Sequence, residues 1–168
     1  MSKPTWADFS WEYPDYESFD SAAVKKAIGG AADAAWVTNT CAVRMSRGLN
    51  YSGLPVPAAF NGLHTARGGD GKHYAFRVRE LRMWLPTGDA LGVPTLDLTK
   101  KQGEEFDKTT LKEMKGVIAF DIHFSDATGH FDRWDGQQFS HESGQSTDFG
   151  DAGQYWKLAT RITLWALH

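Results

Sequence analysis

At about residue 116 the spacing of apolar residues changes period, and that change limits the folds open to the chain. Upstream, in "VTNTCAVRMSRGLN", Ala42, Met45, Ser46 and Leu49 recur at helical spacing and define a core-facing stripe. Downstream, in "VIAFDIHF", Ile118, Phe120, Ile122 and Phe124 alternate as strand residues do. Helices that precede strands, instead of alternating with them, predict an α+β fold with helices packed on an antiparallel sheet. At 168 residues the chain is expected to form one domain spanning 1–168 around one core.

Local signals place the elements. "DSAAVKKAIGG" reads as a short helix, capped by Asp20 or Ser21 and ended by Gly29-Gly30. The next begins after Thr38, Asn39 or Thr40, each able to cap it, and "YAFRVRELRMWL" forms another that stops at Pro86. Between these two, the Pro- and Gly-rich "LPVPAAFNGLHTARGGDGK" reads as a long connecting loop. "KTTLKEMKG" is a helix or a turn. After the strand "VIAFDIHF" come a turn at "SDATG", a strand at "HFDRW", a hairpin signal at Asp135-Gly136 and a partner strand at "QQFSHES". "AGQYWKLA" then reads as helix and "RITLWAL" as the last strand.

Composition excludes several classes. A formal charge of −3 with 41% hydrophobic residues gives neither a basic nucleic-acid footprint nor a disordered chain. The longest apolar runs are too short to span a bilayer, so membrane insertion is not expected. "MSKPTWADFSWEYPDYESFD" lacks the parts of a cleavable signal peptide, so synthesis in the cytoplasm without secretion by the general route is expected, and delivery by a dedicated machine stays open. The seven Trp and ten Phe are read mainly as core, with a glycan groove as the alternative.

Cys41 is the lone cysteine, so it can form neither an internal disulfide nor a Cys-rich zinc site, and packing or reactivity remains. Its place at a helix start favours reactivity: the partial positive charge and unpaired N–H groups there favour thiolate and can receive an oxyanion. Among the six histidines, His64 and His73 flank the loop as surface residues, His123 points outward from its strand, and His168 is terminal. His130 opens a strand after Gly129, and His141 lies on the next strand, where antiparallel pairing would bring the two together. Cysteine at a helix start, histidine on a strand and a polar third residue on the strand after it form the constellation of papain-like hydrolases.

"IGGAADAAWVTNTCAVRMSRGLNYSGLPVP", "YAFRVRELRMWL" and "GVIAFDIHFSDATGHFDRWDG", in that order, resemble the type VI secretion amidase effectors of family 4, within the NlpC-type branch of papain-like cell-wall peptidases. The resemblance runs from about residue 20 to the last strand and is most specific at "NTCAVRMS" and "GHFDRWDG". It implies hydrolysis of the bond between γ-D-glutamate and meso-diaminopimelate in peptidoglycan stem peptides, in the periplasm of a rival cell. It also implies delivery by the type VI secretion machinery, a cognate immunity protein, and no metal or organic cofactor. Cys41 becomes the nucleophile and His130 the general base. An aspartate is expected about eleven residues beyond the base, where this chain has His141.

For the third position His141 is preferred and Asp135 is the alternative, although Asp135 also reads as a turn residue before Gly136. Asp132, two residues past His130, either shares its face or is an exposed strand carboxylate. Arg44, one turn after Cys41, is read as a structural anchor, with substrate contact as the rival reading. The Asn39-Thr40 pair is expected to cap the helix and border the oxyanion site, with the backbone N–H of Cys41 as oxyanion donor. Two other functions stay open: a phage or autolytic wall lysin of the same fold, and a non-enzymatic binding module in which Cys41 is packed.

Overall fold

The computed structural model describes residues 2–124, 127–143 and 152–168. Helix α1 (Trp6–Glu12) opens the chain, and the Thr5 hydroxyl accepts from the Asp8 N–H at 3.1 Å. The sequence pattern does not announce this helix, because Phe9 is its sole buried residue. Helix α2 (Ser21–Ile28) starts where expected: Asp20 accepts from the Ala23 N–H at 2.8 Å, and Gly29 ends it at φ 70°.

Helix α3 (Cys41–Tyr51) is the central element, and nine of its eleven residues are buried. Phe9 lies against Gly48, where a Cβ would fall 2.8 Å from the ring, so α1 seats on α3 only because residue 48 has no side chain.

The segment expected as a loop contains two strands, β1 (Ala59–Phe60) and β2 (Leu63–Arg67), and a third, β3 (His73–Ala75), follows it directly to complete an antiparallel sheet of order β1-β2-β3. Each is too short to show a period. The available signal was the Asn61-Gly62 turn, which joins the paired residues Phe60 and Leu63. The Ala75 N–H donates to Ser46 Oγ at 2.9 Å and ties this sheet to α3. Helix α4 (Val78–Trp84) therefore begins later than its pattern suggests: Tyr74 and Ala75 pair with β2, and Arg77 is extended.

The main sheet has order β4-β7-β5-β6 with every pair antiparallel, formed by β4 (Leu96–Thr99), β5 (Gly116–Asp121), β6 (Gly129–Trp134) and β7 (Arg161–Ala166). On β5, Val117 and Ala119 join the cluster of Met45 and Leu49, whereas Ile118 and Phe120 join that of Phe139, Tyr155 and Trp156. Both faces are covered, which is why the strand reads as an apolar run. It ends at Asp121, short of the expected Phe124, and His123 is exposed in the connection that follows. Part of the expected turn at "SDATG" lies outside the described residues. "KTTLKEMKG" contributes a single 3-10 turn at Lys108–Leu111.

The partner strand expected at "QQFSHES" does not form. Phe139 makes one bridge to Trp134, and Ser140–Ser143 then coil into a short helix, α5. The cause is the carboxylate of Asp132, which accepts from the N–H groups of Ser140 at 3.1 Å and His141 at 2.8 Å and so turns them away from a ladder. Helix α6 (Tyr155–Leu158) leads into β7. No helix among the described residues is long and apolar enough to cross a membrane.

Candidate active site

The site gathers where α3 packs against the edge strand β6. Cys41 is the first residue of α3 and is fully buried. His130 follows Gly129 at the start of β6, and Gly129 is required there because a Cβ would lie 2.4 Å from the Phe120 carbonyl oxygen. Removing that obstacle lets β6 close on β5 and fixes His130 opposite Phe120.

Period-two geometry puts His130 and Asp132 on one face of β6. Their side chains are fully buried and meet at 2.9 Å between Nε2 and Oδ2. A carboxylate can only accept, so Nε2 carries the proton, and Nδ1 is left for the thiol. No hydrogen bond between Nδ1 and Cys41 is closed among the described residues. The thiol is nonetheless near enough to act on the ring. Burial alone would push the imidazole down, but the hydrogen bond to Asp132, the contact with Cys41 and the charges of both push it up to about 9.

Asp132 is held as an anion by a dense set of donors. Tyr13 Oη donates at 3.0 Å and the Arg133 N–H at 2.7 Å, beside His130 and the N–H groups of Ser140 and His141. Burial would raise its pKa, but the hydrogen bond and charge of His130 and these N–H groups carry it below the usual carboxylate value. Tyr13 stays a neutral donor: burial, then the charge of Asp132, hold its phenol well above the ordinary 10.

The third position therefore differs from expectation. The ring nitrogen that His141 was to orient is taken by Asp132. His141 is close, with ring centroids 5.2 Å apart, but its link to Asp132 runs through its backbone N–H. Its ring stacks on Tyr16 at 4.3 Å. Asp135 is the turn residue of its other reading, accepting from the N–H groups of Gln137 and Gln138 at 2.8 and 2.9 Å.

Arg44 is an anchor. It is fully buried, with Nε on Thr40 Oγ1 and Nη1 on the carbonyls of Pro14 and Asp15, and its guanidinium lies 3.7 Å from the centre of the Tyr16 ring. It thus fixes the segment that presents Tyr13 to Asp132 and Tyr16 to His141. Neither tyrosine had a local signal, since Tyr13 meets Asp132 across 119 residues. His64 pairs with Glu80 and His73 lies on β3, both away from this cluster.

The expected oxyanion donor is also engaged. The Cys41 N–H donates to Asn39 Oδ1 at 3.0 Å, so Asn39, not the side chain of Thr40, caps α3. A cleft of about 460 Å³, lined by Trp36, Thr38, Asn39, Phe76, Arg79 and Thr128 among others, opens beside this turn. Neither this cleft nor a smaller cavity of about 270 Å³ near Trp11, Arg47 and Asp70 is lined by Cys41 or His130 themselves. No group of three or more His, Cys, Asp or Glu among the described residues is placed to hold a metal.

Comparison with known proteins places this geometry. A family model described as "Type VI secretion system (T6SS), amidase effector protein 4" matches residues 37–165. The fold is similar to a chain of the Tae4-Tai4 type VI effector–immunity complex from Enterobacter cloacae, with TM-score 0.74 and 30% identity over 99% of this chain and 100% of that one. The type VI effector Tae4 from the same organism matches with TM-score 0.72 and 29% identity, over 99% and 98% of the two chains. A chain of the Tae4/Tai4 effector–immunity system of Salmonella typhimurium shares the fold at TM-score 0.73 and 24% identity, over 99% and 100%. No curated protein sequence is a significant match.

Proposed function

Because the chain belongs to the type VI secretion amidase effector 4 family and is a hydrolase acting on peptidoglycan, we propose that it cleaves the γ-D-glutamyl–meso-diaminopimelate bond of stem peptides through a thioester on Cys41. The observation that carries the mechanism is the buried His130–Asp132 pair set against a cysteine at the start of a helix. The whole chain, 1–168, serves as one amidase domain.

His130, raised to about 9, is the base to which we assign the Cys41 proton. The resulting thiolate attacks the γ-glutamyl carbonyl carbon. The tetrahedral intermediate collapses as His130 gives its proton to the leaving amine of diaminopimelate, leaving a γ-glutamyl thioester. Neutral His130 then takes a proton from water, hydroxide adds to the thioester, and the returning proton frees Cys41. Asp132 stays ionised throughout. It keeps the ring in the tautomer that offers Nδ1 to sulfur and balances the imidazolium charge.

As a member of this family the protein is secreted into target cells, and we place its action in the target periplasm, where the stem peptides lie. The relatives solved as Tae4-Tai4 complexes support a cognate immunity protein for this chain as well. Digestion of purified sacculi with mass analysis of the products tests the bond assignment. New amino termini on diaminopimelate are expected, with no release by Cys41→Ala of unchanged fold. Cleavage at another bond, or full lysis by Cys41→Ala, would refute the assignment.

A further inference from the structure

We infer that the side-chain amide of Asn39 is an oxyanion donor of this enzyme, a reading that rests on the thioester mechanism above. Sequence reasoning gave that task to the Cys41 N–H, but this N–H already donates to Asn39 Oδ1 at 3.0 Å. The same contact fixes the orientation of the amide, since a flipped side chain would set NH₂ against N–H. Nδ2 therefore points away from the capping turn. It is buried, in a residue only 8% exposed, and has no hydrogen-bond partner among the described residues.

A buried N–H donor left unpaired in the free protein is costly and calls for an explanation. Three observations supply one. Asn39 stands two residues before the nucleophile, on the turn that starts its helix. It lines the cleft of about 460 Å³ beside that turn, together with Trp36 and Phe76. Its oxygen is locked, so the donor needs no reorganisation when charge develops on the substrate carbonyl. Asn39 thus has two tasks, the oxygen closing the turn and the nitrogen receiving the oxyanion.

Asn39→Asp separates the tasks, because it keeps an acceptor for the Cys41 N–H and removes the donor. Cleavage of a soluble stem peptide would be measured for the wild type, Asn39→Asp and Asn39→Ala, alongside the rate at which a neutral alkylating agent modifies Cys41 in Asn39→Ala. The expected result is a roughly 10²–10³-fold fall in kcat for both variants, with KM within about threefold. Alkylation in Asn39→Ala should stay within about threefold of wild type, since the thiolate needs no oxyanion donor to react with such a reagent. Asn39→Asp with wild-type kcat would reduce the residue to a helix cap and overturn the inference. Parallel loss of alkylation and kcat in Asn39→Ala would assign Asn39 to placement of the thiol and overturn it as well. A wild-type protein inert toward both the peptide and sacculi would instead bring down the amidase reading, and this inference with it.

Discussion

Replacing Asp132 by Asn tests the site at its most loaded contact. The variant keeps the shape of the side chain and one acceptor oxygen but removes the negative charge beside His130. The displacement of His130 from 6.5 to about 9 favours the protonated ring by roughly 3 kcal/mol, at about 1.4 kcal/mol per tenfold step. Burial acts in the opposite direction, so without the Asp132 charge the imidazole should titrate well below 9. The wild type should lose activity as pH rises through about 9, where His130 no longer carries the proton for the leaving amine. In Asp132→Asn that limb should move toward neutrality, with turnover reduced roughly 10²–10⁴-fold by analogy with loss of the orienting carboxylate in a catalytic triad. The assay is the pH dependence of kcat on a soluble stem peptide, paired with NMR titration of the imidazole. A variant that keeps turnover within about threefold and the same upper limb would refute the reasoning. Stability follows the same linkage: the His130 contribution is fully present below its unfolded value near 6.5 and fades as pH rises through about 9.

His141→Ala keeps the backbone N–H that Asp132 uses, so its turnover should fall less than tenfold, far less than for Asp132→Asn; Asp135→Ala should leave kcat unchanged and cost about 1 kcal/mol through its turn, read by urea unfolding. Arg44→Ala strips the anchor from the Pro14 and Asp15 carbonyls and should destabilise by about 1–3 kcal/mol in urea titration, as leaving a buried acceptor without its donor does. Gly129→Ala forces the edge strand away from Phe120 and should cost about 1–3 kcal/mol with a marked loss of kcat, measured by thermal melting and peptide turnover.

The sequence by itself determined the α+β class, the helix that begins at Cys41 and the strand that carries His130. These rest on periodicity and capping, which act over a few residues and can be read in order along the chain. It also held the two ingredients of the pair on β6, since His130 and Asp132 are two apart and a strand places such residues on one face. What it could not supply was which side of the strand would be buried. Only tertiary packing decided that, by bringing Tyr13 and the turned-in amides of Ser140 and His141 onto Asp132 from segments 119, eight and nine residues away. The same packing removed the strand expected at His141, because a buried carboxylate competes for backbone N–H groups that a ladder would otherwise use. It also turned Asn39 from a helix cap alone into a residue with an unpaired buried donor two residues before Cys41. Side-chain chemistry was legible locally, whereas desolvation is a property of the whole fold, and desolvation gives these groups their roles.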